Sequence, residues 1–308
     1  MIFAFLILAA LPAAAAPVKS LEVRILSTML TDGAGIGEWG FAALVTVDGR
    51  TILFDTGARP ETVLANAREM KLDLTPAADV ILSHNHTDHT GGLLRLREAF
   101  PKSLTRAHAA RGIRLSRPRA NGSEGNSFTQ DSARYTSGGG KLIEHDAFVE
   151  LYPGVWLTGP VPRKHPERNW SGAGQLRTAA GALAEDTLPE DMSLVIETAD
   201  GLVLISGCGH AGIVNTIEHI RAKLGARPLH AAIGGFHLFN SADTQLDWTA
   251  GKLKEFGLGH FIGAHCTGLE ATYRLRERTG LDRRRAVVGA VGAGLVLGRG
   301  IQPGSIAK

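Results

Sequence analysis

Cysteine is almost missing from this chain. Only Cys208 and Cys266 occur in 308 residues, so a disulfide framework is excluded and at most one bridge can form. Aromatic residues are scarce as well, at 6%. The arginine-rich stretch Arg111–Arg119 has none interleaved, and the stacking platform that nucleic acid needs is therefore absent there. It reads as a solvated loop, with a face toward an anionic substrate as the alternative. Neither sign of charge dominates, the formal net charge being +3, so charge selects no partner. No nucleic-acid partner is expected. Long apolar runs are missing too: past Ala16 none approaches the roughly 20 residues of a membrane-spanning helix, and no stable membrane anchor is expected.

The N-terminus holds the one sustained apolar run, Ile2–Leu11, followed by Pro12 and the small residues Ala13–Ala16. That pattern is expected to be a secretory signal peptide over residues 1–16, too short to span a bilayer. It implies a periplasmic or secreted protein, although no Lys or Arg precedes the run and Pro17 restricts cleavage. The cytoplasm is the alternative. With 44% hydrophobic and 20% charged residues, the remaining 17–308 can bury one substantial core.

Leu21–Leu26 reads as a strand, and Phe41–Val47 alternates as a second up to the turn at Asp48-Gly49. Thr51–Phe54 completes a hairpin that ends at Asp55-Thr56-Gly57, Glu61–Met70 has helical spacing, and Val80–Leu82 is a short buried strand. A helix restarts over Gly92–Phe100. From about Ala107 to Asp186 the pattern is least regular, with Gly138-Gly139-Gly140 and four prolines between Pro153 and Pro166. This is expected to be an irregular insert. The second half then echoes the first: Ser193–Thr198, the turn Asp200-Gly201, Leu202–Ile205, a Ser206-Gly207 turn and a helix near Ile213–Leu224. Two such halves in one domain predict an α/β, four-layer αββα sandwich, two sheets face to face with helices outside.

Chemistry concentrates in Leu82-Ser83-His84-Asn85-His86-Thr87-Asp88-His89-Thr90-Gly91-Gly92. Three imidazoles and a carboxylate within six residues suit neither a core nor an ordinary loop. They suit a metal site, because neutral imidazole and carboxylate are ligands for zinc and similar ions. His84 and His86, two apart, project to one side of an extended segment, while Asp88 and His89 fall where the chain turns into a helix. That separation leaves room for two divalent ions, zinc first, with Mn2+ or Fe2+ as alternatives.

The H-x-H-x-D-H pattern after a strand resembles the signature of the metallo-β-lactamase superfamily, and Leu53-Phe54-Asp55-Thr56-Gly57 resembles its upstream Asp motif. The resemblance implies the metallo-β-lactamase fold and a supporting role for Asp55 behind the metals. Gly40-Phe41-Ala42, Leu64-Ala65-Asn66, Ser206–Asn215, Ile233–Leu238 and Ala264–Gly268 further resemble one branch. It is the dihydropteroate-synthase-like group, related to the dihydropterin-ribofuranosyl-aminobenzene-phosphate synthase. By that resemblance His265 is the last ligand histidine, and Cys208 stands where much of the superfamily has a bridging Asp. A turn histidine common in the superfamily is replaced here by Asp186-Thr187-Leu188-Pro189-Glu190-Asp191. Either His210 or Asp191 takes its place. Trp39 stands where the branch more often shows histidine. His237 and Arg163 are candidates for touching substrate, and His108, His145, His219, His230 and His260 receive no role.

These residues imply hydrolysis of an ester, lactone, phosphodiester or related bond of a small molecule by water that the metals activate, with Asp88 as ligand and proton acceptor. The branch implies transferase chemistry as the alternative. A redox di-iron oxidase is a further reading, opposed by retention of His86, and a non-enzymatic binding protein is the last. Oligomeric state is not legible.

Overall fold

Apolar residues at alternate positions force this chain into strands, and the computed structural model shows which faces they bury. It describes residues 17–33, 35–170 and 172–307; the leader expected at 1–16 lies outside them. The strands used below are β1 (Leu21–Ser27), β2 (Ala42–Val47), β3 (Arg50–Phe54), β4 (Asp79–Leu82), β5 (Arg106–Ala110), β6 (Lys141–His145), β7 (Val149–Tyr152) and β8 (Val155–Leu157). They continue with β9 (Leu194–Thr198), β10 (Gly201–Ser206), β11 (Leu229–Gly234), β12 (His260–Gly263), β13 (Ala286–Val288), β14 (Gly294–Val296) and β15 (Gly300–Gln302). The helices are α1 (Thr62–Glu69), α2 (Thr87–Thr90), α3 (Leu93–Ala99), α4 (Phe128–Ser137), α5 (Ile213–Leu224), α6 (Asp243–Glu255) and α7 (Leu269–Thr279).

One eight-stranded sheet runs β15-β14-β1-β2-β3-β4-β5-β6, and a seven-stranded sheet runs β13-β12-β11-β10-β9-β8-β7. Val23, Ile25, Val45, Ile52, Phe54 and Ile81 of the first meet Leu194, Ile196, Val203, Ile205, Ala231 and Ile233 of the second in one buried layer. The opposite face of the first sheet packs on α1, α3 and α4 through Val63, Leu64, Leu93, Leu96 and Phe128. The outer face of the second packs on α5, α6 and α7 through Ile217, Leu246, Leu253 and Leu275. Each buried Val, Leu, Ile or Phe among them contributes roughly 1.5–3 kcal/mol. A one-residue slip would reverse every side chain in a strand, so these layers fix the register. The architecture is the four-layer αββα sandwich the alternation predicts.

The echo between halves is structural. The antiparallel hairpin β2–β3 leads through α1 to the parallel strand β4, and the antiparallel hairpin β9–β10 leads through α5 to the parallel strand β11. Both residues of the two-residue turn Asp48-Gly49 have positive φ, at 45° and 77°, the twist that a two-residue hairpin turn demands.

One expectation needs correction. The stretch 107–186 is not an irregular insert throughout, since β5, α4, β6, β7 and β8 all fall in or beside it. Arg106-Ala107-His108-Ala109-Ala110 lacks large apolar residues, yet it is an inner strand of the first sheet. Its polar side chains are absorbed by partners: Arg106 and His108 both bond to Asp79, and His108 to His145. Irregular chain remains in 111–127 and 158–193, which includes a small hairpin, Gln175–Arg177 with Leu183–Glu185.

Candidate metal centre

Parallel strands in an open sheet place their following loops on one rim, where sites form. Here β4 delivers Ser83–His89, β10 delivers Gly207–His210 and β12 delivers His265 to the same rim. Gly207 lets the two halves close: a Cβ there would lie 2.2 Å from Ser83 Oγ and 2.5 Å from Asp55 Oδ2. No side chain larger than hydrogen fits.

Two groups of ligand atoms result. His84, Cys208 and His210 form one, and His89, Cys208 and His265 the other, with the atoms of each within 4.8 Å of one another and all five residues buried. Cys208 is common to both, in the place expected for a bridging residue. The His86 ring lies 4.6 Å from that of His84 and 5.3 Å from that of His210, on the side of the first group. Asp88 belongs with the second, its Oδ2 lying 3.3 Å from His265 Nε2 and 3.8 Å from His89 Nε2. Cys266 Sγ lies 3.2 Å from Cys208 Sγ, and both are free thiols.

A layer of acceptors behind these rings sets their tautomers. The Asp55 carboxylate accepts from His89 Nδ1 at 2.7 Å, from the Ser83 hydroxyl at 2.8 Å and from the Ser83 backbone N–H at 2.7 Å. With its own proton given to Asp55, the Ser83 hydroxyl accepts from His84 Nδ1 at 2.9 Å. One carboxylate thus orients both histidines, directly and through serine. His210 Nδ1 donates to the Asn169 carbonyl at 2.5 Å. Each arrangement turns Nε2 toward the cluster, as in many metal sites where a histidine's other nitrogen is tied back.

The donor set fits a metal. His84 Nε2 and His210 Nε2 are buried with no hydrogen-bond partner, a state that costs about 1–3 kcal/mol per group unless something fills it. Burial and the neighbouring imidazoles hold His84 and His210 well below the ordinary histidine value, so both rings are neutral and able to donate lone pairs. At His89 burial also lowers the value, but the Asp88 and Asp55 carboxylates outweigh it and carry the ring up to about 9. A cation is favoured at that position. Nitrogen, thiol and carboxylate donors together match zinc and related ions.

The other anticipated residues take different places. Asp191 is buried and belongs to neither group; its Oδ2 accepts from the Ala211 backbone N–H at 2.9 Å, and its Oδ1 has no partner. Arg163 donates to the Thr187 and Leu188 carbonyls and lies 5.3 Å over the Trp170 ring, set back from the mouth. His237 lines that mouth. A cavity of about 590 Å³ opens beside His86 and His210 and is walled by Asn169, Trp170, His237 and Phe239. Trp39, half exposed, packs edge-on against His265 at 4.8 Å and against Phe239 at 5.6 Å. Sequence reading passed over Ser83, Asn169 and Phe239. Ser83 was visible as the polar residue between strand and first ligand, whereas Asn169 sits in a charged loop with no local signal.

Three non-glycine residues of the site have left-handed backbones: Asp55 at φ 54°, His237 at φ 47° and His265 at φ 45°. Such conformations are sparsely populated by L-residues and persist where surrounding structure imposes them.

The comparisons agree with this geometry. A synthase of Methanocaldococcus jannaschii, 7,8-dihydropterin-6-methyl-4-(β-D-ribofuranosyl)-aminobenzene-5′-phosphate synthase, is 28% identical over 280 residues, 86% of this chain and 94% of that protein. A solved structure described as a metal-dependent hydrolase of the β-lactamase superfamily superposes with a TM-score of 0.71 at 27% identity, covering 90% of this chain and 98% of its own. A metallo-β-lactamase-fold protein from Bacillus subtilis matches the fold with a TM-score of 0.54 at 15% identity over 90% of this chain and 98% of its own. The family model described as the metallo-β-lactamase superfamily matches residues 40–209, more than half of the chain and most of the ligand positions above, and the chain belongs to that superfamily.

Proposed function

We propose that the protein is a metal-dependent hydrolase acting on an ester, lactone, phosphodiester or related bond of a small molecule. The observation that carries this reading is the pair of buried ligand groups sharing Cys208, with unpartnered imidazole nitrogens, beside an open cavity. His84, His86 and His210 would hold one ion and Asp88, His89 and His265 the other, with zinc favoured by the donor set and Mn2+ or Fe2+ as alternatives. Such ions supply Lewis acidity, polarising a substrate oxygen and lowering the pKa of water. Asp88 is the acid of the cluster with an exposed portion, 20% of its side chain, and its role is to orient the reacting groups and take up a proton. Asp55 and Ser83 hold His89 and His84 in place. His237, Trp170 and Phe239 receive the organic part of the substrate and exclude water from it.

A second reading, transfer chemistry of the synthase type, is supported by the similarity to the M. jannaschii enzyme along most of both chains. The two differ in whether water enters the product. Metal analysis of protein purified without chelator, paired with ester, lactone and phosphodiester substrates in 18O-labelled water, tests both. The expected result is about two equivalents of metal, label in the product, and loss of at least one equivalent and nearly all turnover in His84→Ala and His86→Ala. Full metal occupancy in both variants would overturn the site. Turnover without label would favour transfer.

A further inference from the structure

The two cysteines of the chain are in contact. Cys208 follows β10 and Cys266 follows β12, and these strands are not neighbours, because β11 lies between them in the sheet. Their sulfurs meet all the same: Cys266 Sγ is 3.2 Å from Cys208 Sγ, and both are free thiols. Glycine just past β11 makes the meeting possible. A Cβ on Gly235 would stand 2.9 Å from Cys266 Sγ and 2.0 Å from the Gly207 carbonyl oxygen, so any side chain there would press into the space the pair uses.

Both sulfurs are held in position. The His237 backbone N–H donates to Cys266 Sγ at 3.3 Å, and the Cys266 carbonyl accepts from the Leu238 and Phe239 N–H groups at 3.1 and 3.3 Å. On the other side His89 Nε2 lies 3.1 Å from Cys208 Sγ. A disulfide needs its sulfurs at about 2.05 Å, so this pair has only roughly 1 Å left to close. The two sulfurs differ in their duties. Cys208 is shared by both groups of ligand atoms, whereas Cys266 belongs to neither, and the metal centre gives it nothing to do. A metal is held by the thiolate. Once bonded to a second sulfur, Cys208 has no thiolate charge to share between two ions, so the bond and the metals compete for it.

We infer that Cys208 and Cys266 are an oxidation site, at which a peroxide joins them in one internal disulfide that displaces the metals. The inference rests on the metal reading of the cluster and not on the hydrolase assignment. One thiol takes an oxygen from the peroxide to become a sulfenic acid, and water leaves. The second thiol then displaces that hydroxyl to form the S–S bond, and a second water leaves. The sulfurs give two electrons to the O–O bond, and both thiol protons end in water. Burial of both cysteines excludes bulky reagents, but hydrogen peroxide is little larger than water. The cavity at the metal centre brings solvent to His210, whose ligand atom lies within 4.8 Å of Cys208 Sγ.

Hydrogen peroxide is the probe. It is added to the full-length, metal-loaded protein, metal release is followed with a chromogenic chelator, and thiols are counted by alkylation and mass spectrometry with and without dithiothreitol. Metal release is expected to run in step with loss of both thiols to one internal bond, and dithiothreitol should restore thiols and metal uptake together. Protein stripped of metal should form the bond at least tenfold faster, because nothing then holds Cys208. Cys266→Ser keeps Cys208 and every proposed ligand, so its metal content should be retained, while release that dithiothreitol reverses should fall at least tenfold. Two thiols still open to alkylation after peroxide, sulfinic acid at either sulfur without a bond, or reversible release undiminished in Cys266→Ser would each overturn the inference. So would loss of metal from folded Cys266→Ser before any peroxide, which would make Cys266 a ligand. A chain that holds no metal at the outset would refute the centre itself, and its thiol count would still decide whether the sulfurs join.

Discussion

His210, and not Asp191, stands with His84 and Cys208 in a group of donor atoms that could hold an ion. Its ring is 4.7 Å from that of His84, its Nδ1 is committed to the Asn169 carbonyl, and its Nε2 is free. Asp191 instead spends one oxygen on the Ala211 N–H, steadying the same turn from behind. His210→Ala is therefore expected to cost metal and turnover as severely as His84→Ala. Asp191→Ala should lower stability by about 1–3 kcal/mol, the cost of a buried N–H left without its acceptor, while retaining two metals. Cys208→Ser tests the shared position: a thiolate between the ions gives a metal–sulfur distance of about 2.3 Å in X-ray absorption that the variant lacks. Normal metal content in His210→Ala together with loss in Asp191→Ala would reverse the assignment.

At the scale of elements, the segment 164–169 and helix α5 are locked to each other. Glu167 accepts from the Val214 and Asn215 backbone N–H groups at the start of α5, and the Asn215 side chain accepts from the Lys164 and His165 N–H groups. Gly212 is required for this approach, because a Cβ there would stand 2.3 Å from Glu167 Oε2. The lock brings Asn169 to His210. Asn215→Ala is thus expected to weaken metal binding about tenfold, the usual scale for a lost outer partner, with the helical circular dichroism preserved; competition against a chelator measures it. A second tie joins the sheets at their edge, where Asp79 of β4 accepts from Arg106, His108 and Tyr152. Burial pushes the Asp79 carboxyl up, but hydrogen bonds from His108, Arg106 and Tyr152 bring it well below its ordinary value of 3.8. A depressed carboxylate stabilises the fold above its unfolded pKa and loses that contribution as acid protonates it. Asp79→Asn should cost about 2 kcal/mol near neutrality, and the gap from the parent should narrow as pH falls below about 4. Urea melts at pH 7 and pH 3 check the sign.

For the whole molecule, two-layer alternation and the paired Asp-Gly turns made the sandwich readable, because burial on known faces leaves a period in the sequence. Histidine density made the rim readable for the same reason: few other uses tolerate it. What escaped was structure held by distant partners. β5 was hidden because Arg106 and His108 find their hydrogen-bond partner in Asp79 of another strand, and Asn169 was hidden because Asn215, in another element, places it. The signal peptide expected at 1–16 carries a prediction at this scale. Intact mass of protein from its native host should show loss of about 15–20 residues, and a chain beginning at Met1 in the cytosol would reverse the expected export. A last consequence follows from the left-handed backbones of Asp55, His237 and His265. Each is a position where glycine would relieve on the order of 1 kcal/mol of conformational cost. Heat tolerance and chemistry therefore pull against each other at the same three codons. A lineage bred only to survive boiling would be drawn to trade these side chains away, growing sturdier as it forgot its trade, whereas the rest of the sandwich offers stabilising changes with no such toll.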